Sequence, residues 1–161
     1  MRLNYKKQVD MIRNFAEIIR ERFPVLTVKL RYLLVDYKLW CFNSEPYSFF
    51  ICSERQEDGY HATVDCYDLE WNRYPENMLA SPHMTVATKA IPRPSCLDEI
   101  IKAARILSKP FPEVRVDLYA VGGKAYFGEL TFTSLGGLQD FYTPEYLLEM
   151  GEQVTIPGLE H

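Results

Sequence analysis

What this chain lacks is informative. No run of basic residues interleaves with its aromatics and the formal net charge is −4, so no nucleic-acid partner is expected. Nowhere do about 18 apolar residues follow one another, and no signal peptide is recognisable, so no membrane span is expected and the chain reads as cytoplasmic. Cys41, Cys52, Cys66 and Cys96 form no CxxC pair. Their wide spacing reads as buried free thiols of a reducing compartment, not a zinc site or a disulfide framework. Histidine is scarce: His61, His83 and His161. The last belongs to Leu159-Glu160-His161, which looks like the start of a vector-encoded tag, and His83 beside Pro82 reads as a surface-loop histidine rather than a catalytic base. A Gly-rich phosphate loop, a Ser-His-Asp order and a metal-type His/Cys cluster are all missing.

What is present suits one domain with a real core: 161 residues with eleven Tyr and nine Phe. Tyr5, Val9, Ile12, Ala16, Ile19 and Phe23 recur at helical spacing up to Pro24. Val25 to Leu34 has strand composition. A hairpin then pairs Val35–Phe42 with Tyr47–Ser53 around Asn43 to Pro46. The simplest pairing puts Asp36, Lys38 and Trp40 on one face with Phe49, Ile51, Ser53 and Arg55. Lys38 and Arg55 are then two cations on neighbouring strands, either solvated or poised as phosphate clamps. A polar loop (Gln56 to Tyr60) leads to a strand within His61 to Leu69. Arg73 to Pro94, with four prolines, reads as a long loop covering the sheet. Ser95 is expected to cap a helix carrying Leu97, Ile100, Ile101, Ala104 and Leu107 on one face and ending at Lys109-Pro110. A short helix follows around Pro144 to Met150. The order predicts an α+β fold, an antiparallel sheet with helices packed on one face.

The segment Val114 to Gly137 holds the candidate chemistry. Val114, Val116 and Leu118 alternate with Arg115, Asp117 and Tyr119, and the second arm runs from Ala125 to Thr133. A three-residue turn, Gly122 to Lys124, sets Arg115 opposite Thr131 and Asp117 opposite Glu129. A two-residue turn sets Asp117 opposite Gly128 instead. Only the first keeps the apolar side chains on one face, so it is the register expected. Carboxylates facing each other across a ladder, with Cβ atoms roughly 5 Å apart, repel unless a cation or a shared proton compensates. Paired hard oxygens suit Mg²⁺; neutralisation by Arg115, or solvation, is the plainer alternative.

Four runs then carry a resemblance: DYKLWCFNSEP (Asp36 to Pro46), CYDLEWN (Cys66 to Asn72), ARILSKPFPEVRVDLY (Ala104 to Tyr119) and GKAYFGELTFTSLGG (Gly123 to Gly137). Together, in that order, they resemble the TupA-like ATP-grasp proteins of teichuronopeptide and other cell-surface polysaccharide biosynthesis. The resemblance covers Val35 to Pro157 and implies the C-terminal subdomain of an ATP-grasp fold. It divides the chain into residues 1–34 (helix and lead-in strand, unmatched), the domain 35–157, and a tail 158–161. It implies ATP and Mg²⁺ as cofactors and a small-molecule or polysaccharide acceptor. The activity implied is an ATP-dependent carboxylate–amine ligase, provided the other subdomain is supplied. Asp117 and Glu129 match the metal-holding carboxylates, with Thr131 at a third position that is often Asn. Lys38, with Asp36 beside it, matches the phosphate-contacting motif. Arg55 matches the arginine that steadies the transferred phosphoryl group, and Arg115, Gly136 and Gly137 fall on the acceptor side. The flexible phosphate-covering loop has no counterpart, and KLRYLL (Lys29 to Leu34) stands where an acidic hinge is usual. Those departures leave a second reading, a non-catalytic half-length relative that binds a saccharide or protein through Trp40, Trp71 and the tyrosines; a weaker third, a glycosyltransferase-associated protein, rests on the grouping of such polysaccharide proteins with glycosyltransferases.

Overall fold

The computed structural model describes residues 34–56 and 61–155. The expected helix from Tyr5 to Phe23, all of the strand Val25 to Leu34 but its last residue, most of the Gln56 to Tyr60 loop and the tail lie outside the described residues. Six strands form one sheet in the order β4-β3-β2-β1-β5-β6. They are β1 (Asp36–Phe42), β2 (Glu45–Ser53), β3 (Ala62–Tyr67), β4 (Met84–Val86), β5 (Glu113–Val121) and β6 (Lys124–Thr131). Among the described residues two α-helices accompany them: α1 (Leu97–Ser108), between β4 and β5, and α2 (Pro144–Glu152), after β6. The fold is mixed α+β, and the sheet is antiparallel apart from the β3–β4 pair, which is parallel.

Alternation along β1 divides the core in two. Tyr37, Leu39 and Cys41 pack with Phe49, Ile51, Val114, Val116 and Leu118 beneath Leu97, Ile100 and Ala104 of α1. Trp40 and Phe42 point the other way and pack with Phe50, Cys52, Val64 and Cys66 beneath Phe141, Tyr142, Tyr146 and Met150. Helices on a single face were expected; α1 and α2 instead cover opposite faces. β1, β2 and β3 each bury apolar side chains on both faces, Leu39 and Trp40, Ile51 and Phe50, Tyr67 and Cys66, so one helix cannot cover both. α2 begins cleanly, because the Thr143 hydroxyl accepts from the Tyr146 amide and Pro144 sits in the first turn. At α1 the expected cap is corrected: the N-cap is Cys96, with no side-chain cap bond. The Ser95 hydroxyl faces the β5–β6 turn instead, 3.3 Å from where a Cβ on Gly123 would stand.

Both central hairpins share one construction. Each turns on two residues with positive φ, Asn43 (50°) and Ser44 (74°) in the first and Gly122 (58°) and Gly123 (76°) in the second, the tight geometry that follows strand twist. Each then takes one extra residue in its returning strand, a β-bulge. In β2 that residue is Tyr47: Cys41 pairs with Pro46 but Trp40 with Ser48. The bulge reverses the expected face, so Asp36, Lys38 and Trp40 lie opposite Cys52, Phe50 and Ser48, while Phe49 and Ile51 go under α1. In β6 the extra residue is Gly128: Leu118 pairs with Phe127 but Asp117 with Glu129. The turn is therefore two residues long, not three, and the bulge restores the Asp117–Glu129 register that a three-residue turn was invoked to explain.

The segment from Arg73 to Pro94 is irregular as expected, except for a 3₁₀ turn at Pro75–Asn77 and the short β4. Buried Asp65 ties it down, accepting from Tyr67 Oη at 2.9 Å and Arg73 Nε at 2.6 Å. Tyr67 Oη in turn accepts from the Ile91 amide at 2.7 Å, and Trp71 Nε1 donates to the Ile91 carbonyl at 3.0 Å.

Two outcomes test this arrangement. A Cβ on Gly128 would lie 3.0 Å from the Asp117 carbonyl oxygen and 3.0 Å from a Tyr119 ring carbon, so Gly128→Ala is expected to destabilise by about 1–3 kcal/mol in urea unfolding. Burial pushes the Cys41 thiol up to about 12, and Cys52 and Cys66 up to about 11. With all four cysteines buried, a thiol reagent at neutral pH should label none until denaturant is added.

Candidate functional site

The face that carries Trp40 is aromatic at one end and charged at the other. Asp36 and Lys38 come from β1, Arg115 and Asp117 from β5, Glu129 and Thr131 from β6. Lys38 stands directly opposite Asp117, and Arg115 opposite Thr131. Arg55 reaches the same face although β2 ends at Ser53. Glu54, at φ 48°, turns the chain between them.

These groups form an alternating series of charge. Arg55 Nη2 is 2.6 Å from Asp36 Oδ2, and Lys38 Nζ is 3.5 Å from that same oxygen. Lys38 also donates to Asp117 Oδ2. Arg115 grips Asp117 with two bonds, Nε to Oδ1 at 2.8 Å and Nη2 to Oδ2 at 2.9 Å, the strong planar pairing of guanidinium with carboxylate. At the far end Arg115 Nη2 is 3.7 Å from Glu129 Oε1. Three cations and three carboxylates therefore balance. The middle is buried, Lys38 at 7 %, Arg115 at 8 % and Asp117 at 2 % exposure, whereas the Glu129 side chain is 55 % exposed and that of Arg55 24 %.

Arg115 is fixed from every side. Its Nη1 donates to Ser134 Oγ at 2.7 Å and its Nη2 to Thr131 Oγ1 at 3.1 Å. Its guanidinium carbon lies 5.8 Å from the centroid of the Trp40 ring, within cation–π range. Burial pulls the Arg115 pKa down, but the hydrogen bonds and charge of Asp117, then the charge of Glu129, outweigh it and the net shift is upward. Ser134 was not singled out from sequence. The only signal for it was its place in Ser134-Leu135-Gly136-Gly137, three residues past the end of β6.

The structure thus brings together Asp36, Lys38, Arg55, Arg115, Asp117, Glu129 and Thr131. Gly136 and Gly137 stand apart, exposed in the strap after Ser134. Leu135, Gly136 and Gly137 there have φ values of 49°, 65° and 84°, and a side chain on either glycine would meet open space. They are suited to a tight backbone turn.

Do these residues suit a hard cation between phosphates? Three of the four lone-pair positions on Asp117 are taken, and one remains on Oδ1. Among the described residues Glu129 accepts a single long bond, 3.3 Å from Thr131. Those donors have the right chemistry for Mg²⁺. The plainer alternative, neutralisation by Arg115, is also realised, since Arg115 lies between the two carboxylates. Among the described residues no group of three or more His, Cys, Asp or Glu is placed to hold a metal by itself. A bare divalent ion would add uncompensated positive charge to a balanced cluster, so a cation fits here only together with anionic phosphate.

Compared with known proteins, residues 5–155 match a family model described as TupA-like ATPgrasp. The match takes in residues 5–34, which the motif resemblance had not reached. No curated protein and no solved structure matches the chain.

The geometry separates the two facing carboxylates by role. Asp117→Asn leaves Lys38 and Arg115 buried without their shared counter-charge and should cost about 3–5 kcal/mol of stability. Glu129→Gln changes an exposed group and should stay within about 0.5 kcal/mol. Chemical denaturation of both variants checks the contrast.

Proposed function

The chain belongs to the TupA-like ATP-grasp family, and from that premise we propose that its charged sheet face is the phosphate-contacting wall of an ATP-grasp enzyme. The reaction would spend ATP to activate a carboxylate as an acyl phosphate, which an amine or similar nucleophile then displaces, in cell-surface polysaccharide (teichuronopeptide-like) biosynthesis in the cytoplasm. Residues 35–157 would form its C-terminal portion.

The observation that supports this reading best is that the charge series ends in opposite signs. Arg55, part-exposed at one end, offers a cation to a phosphoryl group; Glu129, exposed at the other, offers a carboxylate to a metal ion. Phosphoryl transfer asks the protein chiefly for charge neutralisation and positioning, and this face holds both signs without side-chain reorganisation at its centre. Glu129 and Asp117 Oδ1 would hold Mg²⁺, with the Thr131 hydroxyl beside them, and the ion would screen the phosphates from one another. Lys38, held between Asp36 and Asp117, fixes positive charge under the phosphates. Arg115, clamped by Asp117, Ser134 and Thr131, does the same on the acceptor side, where the Gly136-Gly137 strap leaves the backbone open.

The test is amide chemical-shift mapping. Mg²⁺ with ATP should move resonances around Asp117, Glu129 and Arg55, and Mg²⁺ alone should move them far less. Arg55→Ala and Glu129→Gln should each weaken Mg-ATP binding by about 10–100-fold, the loss of a charge-assisted contact. An unchanged spectrum at millimolar Mg-ATP would sink the proposal.

A further inference from the structure

Away from the charged face, His61 and His83 lie side by side, their ring centroids 5.3 Å apart and their planes inclined by 66°. The backbone fixes this neighbourhood. The Ala62 amide donates to the His83 carbonyl at 3.0 Å, and the parallel β3–β4 ladder begins at the next residue of each, Ala62 opposite Met84. The two histidines therefore enter adjacent strands at the same level. His61 is half-buried and His83 exposed, so the pair opens to water on one side.

Two imidazoles that share one tetrahedral ion, each nitrogen roughly 2.0–2.1 Å from it, place their ring centroids about 5 Å apart. The observed spacing meets that requirement with the backbone already in place. Imidazole χ2 is broad, so each ring can bring a nitrogen to a shared point while its centroid moves little. Each ring also has two nitrogens, so one can keep a hydrogen-bond partner while the other takes the ion.

We propose that His61 and His83 form a two-histidine site for a borderline divalent cation such as Zn²⁺, its remaining positions filled by water. Imidazole favours Zn²⁺, Ni²⁺ or Cu²⁺ over Mg²⁺ and Ca²⁺, which prefer oxygen. The site is chemically separate from the carboxylate pair at Glu129 and stands independently of the ATP-grasp reading. A bound ion would link the residue that precedes β3 to the one that precedes β4 and so strengthen the short parallel ladder.

Calorimetric titration of the full chain with Zn²⁺, and with Mg²⁺ as control, tests this. One Zn²⁺ should bind per chain, and His61→Ala and His83→Ala should each weaken that binding at least tenfold while the metal-free melting temperature stays close to that of the parent. His83→Asn, with a similar shape, should lose the ion equally. Zn²⁺ affinity unchanged in these variants, or no binding at millimolar Zn²⁺, would overturn the proposal and leave a plain ring contact. Metal-induced stabilisation of the parent that persists in both alanine variants would overturn it too.

Discussion

Everything on the charged face depends on the Asp117 carboxylate. It is almost wholly buried, it takes two bonds from Arg115 and one from Lys38, and it joins β1 to β5 at the centre of the sheet. Removing three such charges from water is costly, and their mutual attraction repays the cost only when geometry is good and every donor is used. Here most donors have a partner: Lys38 is shared with Asp36, and the outer edge of Arg115 is used by Ser134 and Thr131. Yet a well-packed apolar cluster of the same volume would be no less stable. Stability alone therefore does not account for the cluster, and fixed charge on this face is what the proposed phosphate wall would use.

The same face has a second half that explains why the first stays in order. Along β1 the side chains on this face run Asp36, Lys38, Trp40 and Phe42, from charged to aromatic. Trp40 is the boundary. Its ring receives the Arg115 guanidinium, while its N–H donates to the Tyr142 hydroxyl at 2.9 Å. Tyr142 is fully buried, and burial, more than any neighbour, drives its pKa well above the ordinary phenol value, so it remains a neutral partner. Beyond it, Phe50 and Phe141 stack at 4.6 Å and α2 closes the core. The charges are thus held by an aromatic floor on one side and by neighbouring strands on the others, which leaves Arg55 and Glu129 the most exposed members of the series.

How much of this was readable beforehand follows from what a bulge does to parity. Apolar alternation located every described strand but β4, and the demand for one apolar face correctly placed Asp117 opposite Glu129. It assigned the wrong turn because an extra residue in the turn and an extra residue at Gly128 give the same distant register. In the first hairpin the same device worked in reverse. Tyr47 carries no signal distinguishing it from a ladder residue, so Phe49 and Ile51 were assigned to the charged face when they belong under α1. Arg55 was placed correctly in company though not by the pairing assumed, since Glu54 turns the chain after the strand has ended. The grouping of residues carried over from the family motifs was insensitive to these slips, because a motif fixes residues by sequence and a pleat fixes them by count.

The histidines show a different limit. His61 and His83 are 22 positions apart, and neither spacing nor composition relates them. Their adjacency depends on β4, three residues long and paired in parallel, too short to show alternation and embedded in a proline-rich stretch. The feature that anchors this stretch, Asp65 bound by Tyr67 and Arg73, is equally silent in sequence because a buried carboxylate in a strand reads as an exposed one. Local pattern reports which face a side chain takes on its own strand. Contacts made by a long irregular segment returning to the sheet are set by hydrogen bonds to backbone groups, here the Ala87 and Ile91 carbonyls and the Ile91 amide, and those have no side-chain signature. Clusters built on such returns become visible only when the chain is folded, which is why the charged face was anticipated and the histidine pair was not.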